Sequence, residues 1–280
     1  TDGSNSSATS SVITLSDEAK PVIVSAVTGD NNSDGTVDRL TLTFSESVVI
    51  TDGGSDNDIT LAASTGSASI TAGSYGATAS TLVYTISGAT AGNTSLTIDP
   101  TYAVSGAGDI TDPSNNEMSN GETVSGSDGA APVLLSATYK DTNGNGTVNR
   151  IDAVYSEDIT SSTFESGDWT FPANPASLSV GSGAFSGSTV QITVTGAPAN
   201  TTVLGTTTVK YTNQGTSNSI TDGSNSSATS SVITLSDETV PVLLSATYKD
   251  TNGDGTVNRI DAVYSCLLYT SPSPRDLGKS

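Results

Sequence analysis

Oxygen-bearing side chains recur at one spacing in three short stretches of this chain. Each stretch has Asp or Asn at positions 1, 3, 5 and 9 and a glycine at position 6. Ca²⁺ takes about six to eight oxygen ligands, which such side chains and the position-7 carbonyl can supply around a sharp glycine turn. We therefore predict calcium binding at these loops. The candidate ligands are Asp30, Asn32, Asp34, Thr36 and Asp38 in the first loop, Asp141, Asn143, Asn145, Thr147, Asn149 and Asp152 in the second, and Asp250, Asn252, Asp254, Thr256, Asn258 and Asp261 in the third.

The three loops differ in ligand charge. The third loop has Asp254 at position 5 where the second has Asn145, and the extra charge predicts tighter calcium binding there. The first loop has Thr41 instead of a carboxylate at position 12. Polar and apolar residues alternate on both sides of each loop, which indicates a strand-loop-strand unit. An ordinary β-hairpin turn is the alternative, because Asp, Asn and Gly are also the residues that such turns prefer.

Internal repetition sets the domain organisation. Residues 1–18 recur unchanged as 221–238, and residues 132–156 match 241–265 except that Asn145 becomes Asp254. The period is about 110 residues, which is typical of a β-sandwich domain. We predict the last strand of a truncated repeat at 1–18, whole repeats at 21–128 and 132–238, and the first hairpin of a further repeat at 241–265. Residues 266–280 break the repetition, and Cys266–Asp276 resembles a translated sequencing adapter, so we exclude them from fold reasoning.

Composition narrows the class of protein. A formal net charge of −20 and a pI near 4.1 argue against nucleic acid or an anionic membrane surface as partner. No apolar run approaches the roughly 20 residues that span a bilayer, and no signal peptide is present, so we expect an internal fragment of a longer protein. Disorder is the alternative for so polar a chain, but its strict period-2 alternation argues for strands.

Residues for catalysis are scarce. The chain has no histidine, and its only cysteine is Cys266 in the excluded tail. This removes Ser-His-Asp and Cys-His catalysis and the usual zinc sites. A pair of carboxylates for glycoside hydrolysis remains open, although no pair stands out from the calcium loops. We therefore expect a protein that is not an enzyme.

Short alternating segments predict an all-β fold. Leu40, Leu42 and Phe44 alternate with polar residues, which indicates a strand with one buried face. Asp168-Trp-Thr-Phe171 aligns with Asp58-Ile-Thr-Leu61, so Trp169 occupies a position where the preceding repeat has isoleucine. We interpret Trp169 as a core residue, with a ligand-stacking platform as the alternative.

Three motifs together resemble a known family. They are Pro-Val-Leu-Leu-Ser-Ala before the loop, Arg-Ile-Asp-Ala-Val-Tyr-Ser-Glu after it, and a late Ile-Thr-Asp-Gly/Pro-Ser-Asn turn. This pattern is similar to the bacterial immunoglobulin-like repeats of surface-layer proteins and large secreted adhesins. The resemblance implies a Greek-key β-sandwich in a secreted or cell-surface protein, often calcium-dependent, that acts as a spacer. An adhesive or carbohydrate-binding module, with a cell-surface or glycan receptor, is the alternative. The late turn lacks the Gly-Asn ending common in the family.

Acidic linkers follow each repeat. In a sandwich with an odd number of strands, the last strand ends on the side of the first loop. We therefore expect Asp128 to approach the first calcium loop, and Asp237 and Glu238 to approach the second. There they would complete the ligand shell and stiffen the junction between repeats. A solvated acidic linker without a metal is the alternative.

Overall fold

Strands dominate the computed structural model of the chain. It describes residues 12–50, 58–73, 79–104, 110–161, 163–199, 202, 204–215 and 220–266. Nearly half of the described residues, 46%, are in strands or β-bridges, and the helical element in these ranges is a 3-10 turn at Ser166–Asp168. The all-β class predicted from the sequence is thus confirmed. Within the same ranges, no helix has the length and apolar character needed to cross a membrane.

The chain divides into two compact units. Of the described residues, those within 12–28, 39–88 and 97–127 form the first, and those within 29–38, 89–96 and 128–266 form the second. The strands up to residue 127 are β1 (Ile23–Gly29), β2 (Arg39–Ile50), β3 (Ile59–Ala63), β4 (Ser69–Gly73), β5 (Ala79–Ser87), β6 (Ile98–Tyr102), β7 (Ile110–Thr111) and β8 (Gly126–Ser127).

The main sheet of the first unit has the order β4-β5-β2-β1-β8, with β7 added to β2, and β3 pairs with β6 separately. Along β2, Leu40, Leu42 and Phe44 are buried while the intervening residues are more exposed, as their alternation predicts. The short strand β8 runs parallel to β1, with Gly126 opposite Ala26. The end of the repeat therefore returns to its first strand.

The second unit has the same pairing order in its main sheet. Its strands are β9 (Leu134–Lys140), β10 (Arg150–Tyr155), β11 (Trp169–Thr170), β12 (Ser179–Ser186), β13 (Thr189–Thr195), β14 (Thr208–Tyr211), β15 (Ile233–Thr234), β16 (Ser236–Asp237), β17 (Leu243–Lys249) and β18 (Arg259–Tyr264). The main sheet has the order β12-β13-β10-β9-β16, and a second sheet has the order β11-β14-β15. Ser236 of β16 lies opposite Thr138 of β9 in parallel register, as β8 does with β1.

A hydrophobic core in the second unit draws on its two larger sheets. Ile151 and Tyr139 come from the main sheet, and Trp169 and Tyr211 from the smaller one. Trp169 is only 4% exposed, and its ring centroid lies 5.4 Å from that of Tyr211. The interpretation of Trp169 as a core residue is confirmed. In the first unit Ile59 lies opposite Tyr102, as Trp169 lies opposite Tyr211, which matches the alignment of the two segments.

Strands β17 and β18 form a separate hairpin. They pair with each other across the third loop, with Lys249 opposite Arg259. Among the described residues this hairpin belongs to no larger sheet. Most of the tail that we excluded, residues 267–280, lies outside the described part of the chain.

Candidate functional site

The three predicted calcium loops are tight turns closed by their own side chains. In the second loop, Asp141 accepts hydrogen bonds from the backbone N–H of Gly144 at 2.9 Å and of Gly146 at 2.7 Å. The amide oxygen of Asn149 accepts the N–H of Thr142 at 2.9 Å. Gly146 has φ +81°, a left-handed conformation that favours glycine, so the glycine at position 6 is required by the turn itself.

The other two loops repeat this arrangement. Asp30 accepts the N–H of Gly35 at 2.7 Å, and Asp250 accepts that of Gly255 at 2.8 Å. The backbone N–H of Gly255 is the main cause that lowers the pKa of Asp250. The remaining candidate ligands of positions 3 to 9 lie in the same turns: Asn32, Asp34, Thr36, Asp38, Asn143, Asn145, Thr147, Asn252, Asp254, Thr256 and Asn258. The hairpin-turn alternative accounts for these hydrogen bonds without a metal.

The carboxylate at position 12 is engaged elsewhere. Asp152 lies on β10, where one carboxylate oxygen is 2.9 Å from Lys140 Nζ and the other is 2.8 Å from Arg150 Nε. Asp261 makes the corresponding two ion pairs on β18. A loop-bound cation would have to break these pairs to recruit position 12, so the loops offer it fewer ligands than their sequence predicts.

The linker residue Asp128 belongs to a cluster of three carboxylates within the second unit. Its partners are Glu157, which follows β10, and Asp222, which lies in the late Ile-Thr-Asp turn. One oxygen from each carboxylate lies within 4.8 Å of the other two. The structure thus brings the linker to a site that the sequence analysis did not identify.

A second cluster of the same kind lies in the first unit. It joins Asp17, Glu46 and Asp112, again with ligand oxygens within 4.8 Å of one another. The three residues occupy the same sequence positions as Asp128, Glu157 and Asp222: a linker aspartate, the glutamate of Ser-Glu, and the aspartate of the late turn. At the next linker Asp237 has the equivalent position, but Cys266 stands where the glutamate would be.

Burial and neighbouring negative charges raise the pKa values of carboxyl groups in the cluster of the second unit. Glu157 is only 6% exposed, and one of its oxygens accepts a hydrogen bond from the Thr94 hydroxyl at 2.6 Å. Burial first, and then the neighbouring charges of Asp128 and Asp222, raise the pKa of Glu157 to about 7. Burial and Asp222 also raise the pKa of Asp128. These carboxylates therefore resist becoming charged together.

In the cluster of the first unit, burial and neighbouring negative charges also oppose ionisation of the carboxyl groups. Burial first, then the charges of Asp112 and Asp17, raise the pKa of Glu46. Burial opposes ionisation of Asp112, but hydrogen bonds from the side chain and backbone of Asn116 and from the backbone of Ser114 lower its pKa overall. The buried Asp112 is thus held ionised beside another acidic group.

The geometry of both clusters fits a hard divalent cation. Oxygens about 2.3–2.6 Å from a Ca²⁺ ion lie roughly 3–5 Å from one another, which agrees with the separation found here. The cluster of the second unit opens into a cleft of about 540 Å³ with further hydroxyl-bearing residues on its wall. They are Ser95, Ser156, Thr160, Ser188 and Ser224. The residues present can therefore supply several oxygen ligands to a calcium ion.

The other two linker candidates make contacts of a different kind. Glu238 forms an ion pair with Lys140, at 2.9 Å. Asp237 accepts hydrogen bonds from the backbone and hydroxyl of Thr239, at 2.8 Å and 2.6 Å. In the described part of the chain neither joins a carboxylate cluster. Lys140 also holds Asp152, so Glu238 reaches the strand beside the second loop through a shared lysine.

Sequence reasoning missed five of the six residues in the two clusters: Asp17, Glu46, Asp112, Glu157 and Asp222. They are distant in sequence, so no local spacing connects them. The signal was their recurrence, because the Ser-Glu and Ile-Thr-Asp motifs appear in both repeats at corresponding positions. Each motif belongs to the family resemblance, but the sequence does not show that they form one site.

The fold and its sites together define an all-β protein whose acidic side chains gather at corresponding places along the chain. Comparisons with protein-family models, with curated proteins and with solved structures find no match.

Proposed function

We propose that this chain is part of an extracellular structural spacer built from immunoglobulin-like Greek-key repeats, in which Ca²⁺ holds each linker to the repeat that follows it. The observation that carries the proposal is the recurrence of one carboxylate cluster at equivalent positions in two repeats. In each cluster one ligand comes from the linker and two come from the body of the repeat. A bacterial surface protein or adhesin is the kind of protein in which we expect such a spacer.

Electrostatics supports a cation at these positions. Three carboxylates within 4.8 Å repel one another, by roughly 1–3 kcal/mol per pair at an intermediate dielectric. A divalent cation turns that repulsion into attraction and favours the ionised form of Glu157. Calcium is the ion expected, because the donors are all oxygens and the ion is abundant outside cells.

A bound ion would restrain the linker, because one of its ligands, Asp128, lies in the linker. Without the ion, Asp128 and Glu157 repel, which favours release of the linker from the repeat. With the ion bound, the linker is fixed to the repeat through Asp128, so fewer orientations remain open to the chain that precedes it. Repetition of such units lengthens a spacer, and each unit folds around its own core.

The position of Trp169 supports a spacer over a carbohydrate-binding module. Sugar recognition commonly uses exposed aromatic rings, and Trp169, the only tryptophan of the chain, packs in the core against Tyr211. Aromatic residues make up only 5% of the sequence. The chain thus offers little for stacking on a sugar ring.

A thermal melt of the full chain tests calcium binding. We would follow Trp169 fluorescence, which reports on the second unit, in chelator, in millimolar Ca²⁺ and in millimolar Mg²⁺. Binding to the folded state raises the midpoint by mass action, and we expect a rise of about 5 °C or more with calcium alone. An unchanged midpoint in calcium would refute the proposal.

Substitutions can show whether calcium binds at the carboxylate cluster or in the loops. Asp128→Asn with Asp222→Asn should abolish most of the rise, whereas Glu122→Gln, a charge removal outside both clusters, should not. If the cluster variant keeps the full rise and Asp141→Asn loses it, the ion occupies the loop instead. Small-angle scattering of the same proteins tests the stiffening of the linker. Calcium should narrow the distribution of molecular dimensions in solution only in proteins whose cluster is intact.

A further inference from the structure

Two segments of the repeat at 21–128 belong to the second compact unit. They are residues 29–38, which contain the first candidate calcium loop, and residues 89–96. A glycine in each segment lies against Leu135, which belongs to β9 of the repeat at 132–238. The second unit therefore contains contacts between residues of two successive repeats.

Leu135 packs closely against Gly35 and Gly92. A Cβ atom added to Gly35 would lie 2.5 Å from Leu135 Cδ2, and one added to Gly92 would lie 3.2 Å from Leu135 Cδ1. The first distance is too short for an ordinary contact between heavy atoms, so a side chain on Gly35 would displace the leucine. The glycine at position 6 of the loop thus leaves room for a neighbour, in addition to the conformation that it gives the turn.

A buried pair of hydroxyl groups lies near the same glycine turn. Thr94 is 0% exposed, and its Oγ1 lies 2.6 Å from Ser156 Oγ. The Thr94 hydroxyl also donates to a Glu157 carboxylate oxygen at 2.6 Å, which uses its single proton, so Ser156 is the donor to Thr94. Ser156 Oγ in turn accepts the N–H of Val133 at 2.9 Å. These hydrogen bonds fix Thr94 to the residues that follow β10.

Both contacts recur one repeat further along the chain. A Cβ atom added to Gly146, at position 6 of the second loop, would lie 2.7 Å from Leu244 Cδ2 and 3.3 Å from Ser265 Cβ. The N–H of Thr202, which is 0% exposed, donates to the carbonyl of Ser265 at 3.1 Å. Leu244 and Ser265 occupy the repeat positions of the leucine and serine described above. The arrangement is therefore a property of the repeat.

We propose that Gly35, Gly92 and Thr94 form a docking surface for the repeat that follows in the same chain, and that this docking needs no metal ion. The loop is closed without a metal, since Asp30 accepts the N–H of Gly35 at 2.7 Å. The surface is therefore already formed when the ion is absent. This role goes beyond the proposed function, in which calcium restrains the linker through Asp128.

The partner is recognised by one leucine and one serine of the shared motifs. Leu135 belongs to Pro-Val-Leu-Leu-Ser-Ala, and Ser156 belongs to Arg-Ile-Asp-Ala-Val-Tyr-Ser-Glu. Strands β9 and β10 pair with each other, and the N–H of Ser156 donates to the carbonyl of Val133 at 2.9 Å, so a folded repeat presents both side chains together. The docking surface therefore fits a repeat that carries both motifs.

Disulfide trapping in the full chain tests the docking. In a Cys266→Ser background, Thr94→Cys and Ser156→Cys should form an intramolecular disulfide on mild oxidation, because their side-chain oxygens lie 2.6 Å apart. The rate should be the same in chelator and in millimolar Ca²⁺. Leu135→Asp should slow it at least tenfold, whereas Val24→Asp, at the same strand position of the preceding repeat and 56% exposed, should not. A disulfide that forms only in calcium, or a rate that Leu135→Asp leaves unchanged, overturns the proposal.

Alanine substitutions in the same background test the steric fit. Gly35→Ala should slow trapping at least fivefold. Gly144→Ala is the matched control, because Gly144 also has a positive φ of +67°, but among the described residues nothing lies within 4 Å of a Cβ atom added there. When Leu135→Ala is also present, Gly35→Ala should slow trapping no further. Equal slowing by the two single glycine substitutions would assign the effect to strain in the turn and overturn the proposal.

The unmodified chain offers a check that does not depend on the folding of any variant. In chelator, nuclear Overhauser contacts should connect the Leu135 methyl groups with the α-protons of Gly35 and Gly92, and their absence overturns the proposal. This proposal and the proposed function can fail separately. A chain that shows these contacts in chelator but no calcium shift in its melt keeps the docking and loses the calcium-stiffened spacer. A calcium shift without these contacts does the reverse.

Discussion

The carboxylates of Asp128 and Glu157 lie within 4.8 Å of each other, although one belongs to a linker and the other is almost fully buried after β10. Burial and the charge of Asp128 raise the pKa of Glu157 to about 7. The linker is therefore joined to its repeat by two groups that repel when both are ionised. A proton or a metal ion relieves this repulsion, so the stability of the second unit should depend on pH and on calcium.

Without metal, the stability of the second unit should fall as the pH rises from about 4.5 to 7. The pKa of Glu157 is about 7 in the folded state and near 4.5 in the unfolded chain, so in this window the folded state binds the extra proton. The free energy of unfolding should decrease by about 1–2 kcal/mol across the window and level off above pH 7. Denaturant titrations in chelator, followed by Trp169 fluorescence, measure it.

Glu157→Gln provides the control for that pH dependence. The variant cannot ionise, so its stability should be nearly flat over the same window and should exceed that of the unmodified protein at pH 8. Glu122→Gln should keep the original dependence. A Glu157→Gln protein with an unchanged pH profile would show that another group is responsible.

The sequence predicted the strands better than it predicted the clusters. The alternation of Leu40, Leu42 and Phe44 determines which face of β2 is buried, because successive side chains on a strand point to opposite sides. The acidic linker predicts Asp128 as a candidate ligand. It does not predict the partners Glu157 and Asp222, since only the folding of distant segments brings them together.

In the calcium loops the sequence spacing predicts more ligands than the structure makes available. Their spacing predicted a metal site, but the same spacing also builds a turn closed by hydrogen bonds, such as that between Asp141 and Gly146. Spacing alone predicts a ligand at position 12. The ion pairs of Asp152 with Lys140 and Arg150 depend on neighbours across the sheet, which the spacing does not encode.

If the loops bind calcium, the third should bind more tightly than the second. The Asn145 amide oxygen accepts the N–H of Thr147 at 2.9 Å, and Asp254 accepts the corresponding N–H at 2.8 Å, so the turns differ mainly in one charge. We expect roughly three- to tenfold tighter binding at the third loop. The amide resonances of Gly146 and Gly255 report the two loops separately in one calcium titration.

Asn145→Asp is the matching test for that difference. It should bring the calcium response of Gly146 to the concentration at which Gly255 responds, while Gly255 itself is unaffected. Equal responses of the two glycines in the unmodified chain would contradict the charge argument.

Lys140→Met should destabilise the second unit by about 1 kcal/mol. Lys140 pairs with Asp152, whose side chain is 9% exposed, and its loss removes one of the two cations that compensate this buried charge. Chemical denaturation followed by Trp169 fluorescence measures the change. Lys249→Met is a control in an identical local sequence, because its partner Asp261 is 36% exposed and solvent screens that pair. Equal losses from both variants would mean that the burial of Asp152 is irrelevant.

Trp169→Ile should cost much less stability than Trp169→Ala. The first unit places Ile59 opposite Tyr102 just as the second places Trp169 opposite Tyr211, so isoleucine is compatible with this backbone position. Alanine also removes the packing against Phe164 and Tyr211 and leaves a cavity, for which we expect a loss of about 3–5 kcal/mol. Thermal unfolding followed by circular dichroism measures both variants, since neither retains tryptophan. If Trp169→Ile were as damaging as Trp169→Ala, the two positions would not be equivalent, and the core of the second unit would depend on an aromatic ring at this place.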